Sequence, residues 1–170
     1  MPISVRSERG VSRLTAPLCS LVKSALALEG RRPGEIAIVL ADDATLRDLN
    51  HRWRGIDRAT DVLSFDYGDT ATRLRRRSAP LRADASGPVN GDLVISLDRM
   101  RDQAKRYRVS QGRELARLVI HGTLHLAGLD HRQAAERRLM RARENAALRA
   151  GRDAVSALER AVGGAAVRPR

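Results

Sequence analysis

Residues 110–131, "SQGRELARLVIHGTLHLAGLDH", constrain the fold more than any other stretch of the chain. Ser110 is placed to cap a helix running through Leu126, with Glu114 in its first turns, where the helix dipole favours an acid. Leu115, Leu118, Val119, Gly122 and Leu126 fall along one face of that helix, and Ile120 and Leu124 fall on the opposite face. A helix apolar on both faces must be covered on both, so the spacing predicts a buried, central helix. The rest of the chain has to supply its cover.

The covering elements can be read in order. "ISVRS" near the start suits a short edge strand. Leu14, Leu18, Leu21, Val22, Ala25 and Leu28 recur at helical spacing over 12–29, and Gly30 stops the run. "EIAIVL" (35–40), "DVLSF" (61–65) and "GDLVIS" (91–96) read as strands. Asp42 or Asp43 caps a short helix, "ATLRDLN", and the charged stretch "HRWRGIDRAT" after it reads as a turn. Further helices are expected over 97–108 and about 132–149. Residues 68–90 are polar, basic and rich in Gly and Pro, and read as a flexible loop. Its "RLRRR" is either a phosphate-contacting patch or a solvated run. The tail "GGAAVRPR" should fray. Strands and helices so interspersed predict a single α+β domain over 1–150, with 151–170 a partly disordered C-terminal extension. A chain of 170 residues can bury roughly two thirds of its unfolded surface. Aromatic residues make up only 2%, so that core must be Leu, Val, Ile and Ala.

The buried helix and the turn that follows it hold three of the four histidines. His121 and His125 are i, i+4 and project from the same face. Gly128 permits a sharp turn that ends the helix, and His131 can then swing back to the same point. Three imidazoles suit a borderline cation such as zinc and leave one position open, the pattern of a catalytic site. Three unpaired imidazoles in an apolar setting would instead be costly. The spacing H-x3-H-x2-G-x2-H equals the metal-binding stretch of metzincin peptidases. Those enzymes carry a glutamate base after the first histidine, whereas Gly122 stands there and has no group to take a proton. Peptide hydrolysis is therefore disfavoured, and Gly122 suits close packing of the helix. His51 lies outside the cluster and suits an exposed helix end.

Charge narrows the substrate. The formal net charge is +12, and Lys23 and Lys105 are the only lysines, so arginine carries nearly all of it. Guanidinium forks match phosphate oxygens, which points to RNA or DNA ahead of a membrane surface. A composition bias toward arginine would produce the same excess. For a phosphodiester, a metal and an arginine can together supply charge stabilisation. Arg54, beside a glycine and ahead of a strand, is the arginine so placed, unless it is one more surface arginine. Cys19 is the only cysteine and suits a small apolar position, so no internal disulfide can form, which fits a reducing compartment. No apolar leader opens the sequence and no stretch approaches a membrane span, so a soluble, cytoplasmic chain is expected.

"HGTLHLAGLDH" resembles the signature of the YbeY endoribonuclease family of rRNA maturation factors. "LNHRWRGIDRATDVLSFDYGD" resembles that family's second block, and "GDLVIS" its third, in the same order over roughly residues 35–148. The resemblance implies a mixed sheet of about four strands packed with several helices. It implies a zinc-dependent, single-strand-specific endoribonuclease acting in 16S rRNA 3′-end maturation and ribosome quality control. Single-stranded RNA, rRNA and the small ribosomal subunit would be its partners. His121, His125 and His131 match the ligands of one zinc ion, and Arg54 matches the family's important arginine. Arg54 and His121 are thus the expected catalytic residues. RNA is expected in a groove between the buried helix and the "TDVLSF" strand, with Asp130 orienting a histidine or capping the next helix. A zinc hydrolase of another substrate class, or a non-catalytic zinc-stabilised ribosome assembly factor, would fit the same triad.

Overall fold

A computed structural model of the chain describes residues 3–8, 10–67 and 87–162. The basic stretch 73–77 and the tail from 163 lie outside the described residues. Four strands and six helices form among the described residues: β1 (Ile3–Ser7), α1 (Ser12–Leu28), β2 (Pro33–Ala41), α2 (Asp43–Arg54), β3 (Val62–Asp66), β4 (Val89–Ser96), α3 (Leu97–Tyr107), α4 (Gln111–Leu126), α5 (Ala134–Ala150) and α6 (Arg152–Val162). The expected α+β domain with a mixed four-stranded sheet is what forms. The strand order is β1-β2-β4-β3. β1, β2 and β4 run parallel, and β3 returns antiparallel along β4, pairing Ser64 with Leu93.

Side-chain alternation along the strands sorts the molecule into layers. Ile36, Ile38 and Leu40 of β2, with Leu93 and Ile95 of β4, enter the main core. That core also holds Leu18, Leu21 and Leu26 of α1 and Leu115, Leu118 and Ile120 of α4. The alternate residues Val39, Ala41, Leu63 and Val94 face the other way, onto Leu46 and Leu49 of α2. One face of the sheet is therefore covered by α4 and its neighbours, and the opposite face by α2. Full burial of Leu118, Val119, Ile120 and Leu124 bears out the central helix.

Local chemistry sets the helix ends. Asp42 caps α2 through Thr45 N–H at 2.8 Å, and Ser110 caps α4 through Arg113 N–H at 3.1 Å. Two expectations are corrected. The stretch beginning "HRWR" continues α2 to Arg54, and the turn comes only at Gly55, whose φ of 69° closes the helix. Residues 152–162, set apart as an extension, form α6, where Ala154, Val155 and Leu158 are buried in the main core. Cys19 is half-buried against that core.

α6 crosses α4 at Gly112. A Cβ there would lie 2.4 Å from the Glu159 nitrogen and 2.5 Å from its Cα. Backbone cannot rotate out of the way as a side chain can. Gly112→Ala is expected to cost about 1–3 kcal/mol in urea unfolding. Gly87→Ala, which opens onto free space, serves as the control and should leave the midpoint near its original value.

Candidate metal centre

His121 and His125 lie on the last turns of α4. Their four-residue spacing brings the two Nε2 atoms to 3.1 Å. Gly128, at φ 104°, then turns the chain, with Gly128 N–H bonded to the His125 carbonyl and Leu129 N–H to that of Leu124, both at 3.0 Å. The turn returns His131 to the pair, its ring centroid 5.4 Å from His121 and 4.9 Å from His125. One ligand atom from each residue lies within 4.8 Å of the others. Two nitrogens at zinc-like distances of ~2.0–2.1 Å from a tetrahedral ion stand about 3.3 Å apart, which the His121–His125 separation already approaches. The donor set therefore fits a metal ion. His131 is exposed, so the triad opens to solvent on that side.

Burial and charge favour the ligand form of the His125 ring. Loss of solvent, reinforced by His121 and His131, pushes the His125 imidazole down to about 4. It is neutral at neutral pH, with a lone pair free for a cation.

Glu144 of α5 supplies what the sequence reading missed. Its Oε1 accepts a hydrogen bond from Nδ1 of His121. A carboxylate can only accept, so Nδ1 carries the proton and Nε2 turns its lone pair toward the cluster. A signal was present, because Met140, Glu144, Ala147 and Leu148 mark the inward face of α5. An acid on an apolar stripe needs a partner. Glu144→Gln is expected to weaken metal affinity by about 10–100-fold, measured by competition against a chromogenic chelator. The triad's own residues remain in place.

Asp130 does neither of its expected tasks. It accepts from the backbone N–H of His131 at 2.7 Å and pairs with Arg132, so it fixes the returning chain rather than a ring. Gln133 and Glu136 form the capping box of α5.

Gly122 is a point of close contact between α4 and the sheet. A Cβ would meet Leu93 Cδ2 at 2.9 Å, Val62 Cγ2 at 3.2 Å and Ser64 Oγ at 3.3 Å. The Ser64 hydroxyl donates to the Gly122 carbonyl. The groove expected between the buried helix and the "TDVLSF" strand is therefore closed at this point by direct packing. Asp61 of the same block accepts from Gln103, which in turn accepts from Arg117, one turn before His121 on α4.

The structure unites the three histidines but does not bring Arg54 into contact with them. Arg54 ends α2, exposed, in the layer across the sheet from α4. No hydrogen bond or ion pair joins its side chain to another described residue. Asn50, buried, donates to the Arg58 carbonyl at 2.8 Å and so secures the turn beyond it. His51 is exposed in the last turn of α2, as expected.

No helix among the described residues is long and apolar enough to cross a membrane. The family model described as Endoribonuclease YbeY matches residues 4–151. The chain is 43% identical over 114 residues to "Endoribonuclease YbeY" of Desulfitobacterium hafniense strain Y51, covering 67% of this chain and 69% of the relative. It is 37% identical over 153 residues to the protein of that name from Pelotomaculum thermopropionicum, covering 87% and 95%. A solution structure from Thermotoga maritima shares the fold, with a TM-score of 0.55 at 24% identity over 88% of each chain. Matched over most of its length by the family model and by such relatives, the chain belongs to the Endoribonuclease YbeY family.

Proposed function

We propose that this chain is a zinc-dependent endoribonuclease that cuts single-stranded RNA, acting in the cytoplasm in 16S rRNA 3′-end maturation and ribosome quality control. The observation that carries the reading is the open histidine triad oriented by Glu144, with Gly122 packed where a peptidase would hold its base. A bound zinc supplies Lewis-acid stabilisation of charge on a phosphate oxygen and makes water more acidic. His121, His125 and His131 hold it, and Glu144 keeps His121 in the required tautomer. Arg54 grips a phosphate with its guanidinium fork. β3 is the edge of the sheet, with Ser64 turned toward α4 and Leu63 and Phe65 toward α2. RNA passing across that edge meets both layers, with the small ribosomal subunit presenting the strand.

The test is cleavage of structured rRNA carrying a single-stranded 3′ extension. Wild type, His121→Ala and Arg54→Glu are compared with and without chelator, in a preparation verified free of other nucleases. Cutting is expected only with metal, and is expected to fall at least about 10-fold in Arg54→Glu without loss of thermal stability. Cutting that survives chelation would sink the zinc nuclease. RNA binding without cutting would favour a zinc-stabilised assembly factor.

A further inference from the structure

We infer that Trp53, Phe65 and Tyr67 form a base-stacking platform for single-stranded RNA, an inference that rests on the RNA reading above. The chain has one Trp, one Phe and two Tyr, and none of the four is buried. Its core is aliphatic, so these rings are not there to fill it. Three of them gather where the end of α2 meets β3. Trp53 continues the inward stripe of Leu46, Leu49 and Asn50, yet its side overhangs the sheet and stays 69% exposed. It meets Phe65 edge to face, with centroids 6.2 Å apart and planes at 65°. Tyr67 follows two residues after Phe65, on the same side by the pleat, and is 54% exposed. Its N–H bonds the Asn90 carbonyl at 3.3 Å. The Asp92 carboxylate beside it, together with partial burial, pushes the Tyr67 phenol up to about 12. The rings are thus held in place before any ligand arrives, which lowers the ordering cost of stacking.

The charges around them select the occupant. Asp57 and Asp48 take Arg47 and Arg52 in ion pairs. No ion pair joins Arg54 or Arg58 to a described residue, which leaves both guanidinium groups for phosphates. Exposed rings for base faces beside cations for the backbone are the combination that binds single strands. A duplex hides its base faces and gains nothing from the rings. The platform would thereby supply the preference for unpaired RNA that the triad itself cannot.

Trp53 is the only tryptophan, so its fluorescence reports the platform directly. The full chain is titrated with a short 2′-O-methyl oligoribonucleotide, which suppresses cleavage. Parallel titrations use its abasic counterpart of equal length and its duplex. The single strand is expected to quench Trp53 and to bind at least about five-fold tighter than the abasic oligomer. Trp53→Ala and Tyr67→Ala, followed by anisotropy of labelled RNA, should each erase about five-fold or more of that advantage and leave abasic binding unchanged. Trp53→Phe should restore most of it. Equal affinity for the two oligomers, with no quenching, would overturn the platform. So would a Trp53→Ala variant that sediments differently yet binds RNA as before, since the rings would then serve contact between copies. Stacking without cleavage in the separate rRNA assay would sink only the nuclease reading. Failure to bind either oligomer would overturn both.

Discussion

His125→Ala is expected to abolish most of the stabilisation that zinc, the ion proposed for the triad, would give this protein. An ion at a thousand times its dissociation constant stabilises the fold that binds it by about 4 kcal/mol. Removing one of three imidazoles should weaken binding by more than about 100-fold, because even an outer partner is worth 10–100-fold. At the same zinc concentration the gain then falls to about 1.4 kcal/mol or less. The measurement is thermal unfolding of wild type and variant with zinc and with chelator. Without metal the variant should unfold within about 1 kcal/mol of wild type, because His125 is neutral and makes no structural ion pair. Acid sharpens the contrast. Burial and its neighbours hold the folded His125 pKa at about 4, below its ordinary 6.5. Between those values the unfolded chain binds the extra proton, so metal-free wild type loses stability as pH falls from about 6.5 toward 4. The variant has no such group and should lose less across that window.

The triad was legible because everything that assembles it is local. Four residues make one helical turn, Gly128 makes the reversal, and His131 follows within three more. The buried helix was legible for the same reason, since its two apolar faces lie within a single element. Glu144 is different in kind. It reaches His121 across 23 residues of sequence through the packing of α5 on α4, and no periodicity within either helix states that contact. The extension of α2 through "HRWR" was missed because that turn is charged and exposed, so it carries almost no apolar stripe. Gly55 as a left-handed cap was the signal available. α6 was missed because Ala154, Val155 and Leu158 make a short pattern after a glycine, and its reason to fold there is packing on α1 and on α4 at Gly112, which lie far away in sequence. Strand order was not legible from local pattern at all, since pairing between strands far apart in sequence is decided by the layers they close. The mixed sheet was anticipated from family resemblance, and the place of Arg54 at the end of α2, the helix that packs on the sheet face opposite α4, was not.

Gly122→Glu recreates the peptidase sequence, and it is expected to cost the fold rather than add an activity. The first atom of any side chain at this position lands 2.9 Å from Leu93 Cδ2 and 3.2 Å from Val62 Cγ2. Both neighbours are side-chain tips, so Gly122→Ala should be tolerated at about 1–2 kcal/mol as they shift. Glutamate adds a carboxylate with nowhere to go. It would enter the seam between α4 and β3, whose nearest polar group, the Ser64 hydroxyl, already donates to the Gly122 carbonyl. Overpacking and an unpaired buried charge together should exceed about 4 kcal/mol, a large part of a typical domain's whole stability. Urea unfolding should therefore show Gly122→Ala as a modestly weakened two-state protein and Gly122→Glu as largely unfolded or lacking a cooperative transition. A peptidase assay of any soluble Gly122→Glu fraction should stay at background. A stable, zinc-loaded Gly122→Glu protein that cleaved peptides would overturn this account. It would mean that the helix can stand off the sheet, and that the residue after His121 is free to choose the chemistry. With the seam as tight as it is, position 122 is spent on packing, and the choice of substrate has to be made elsewhere on the surface.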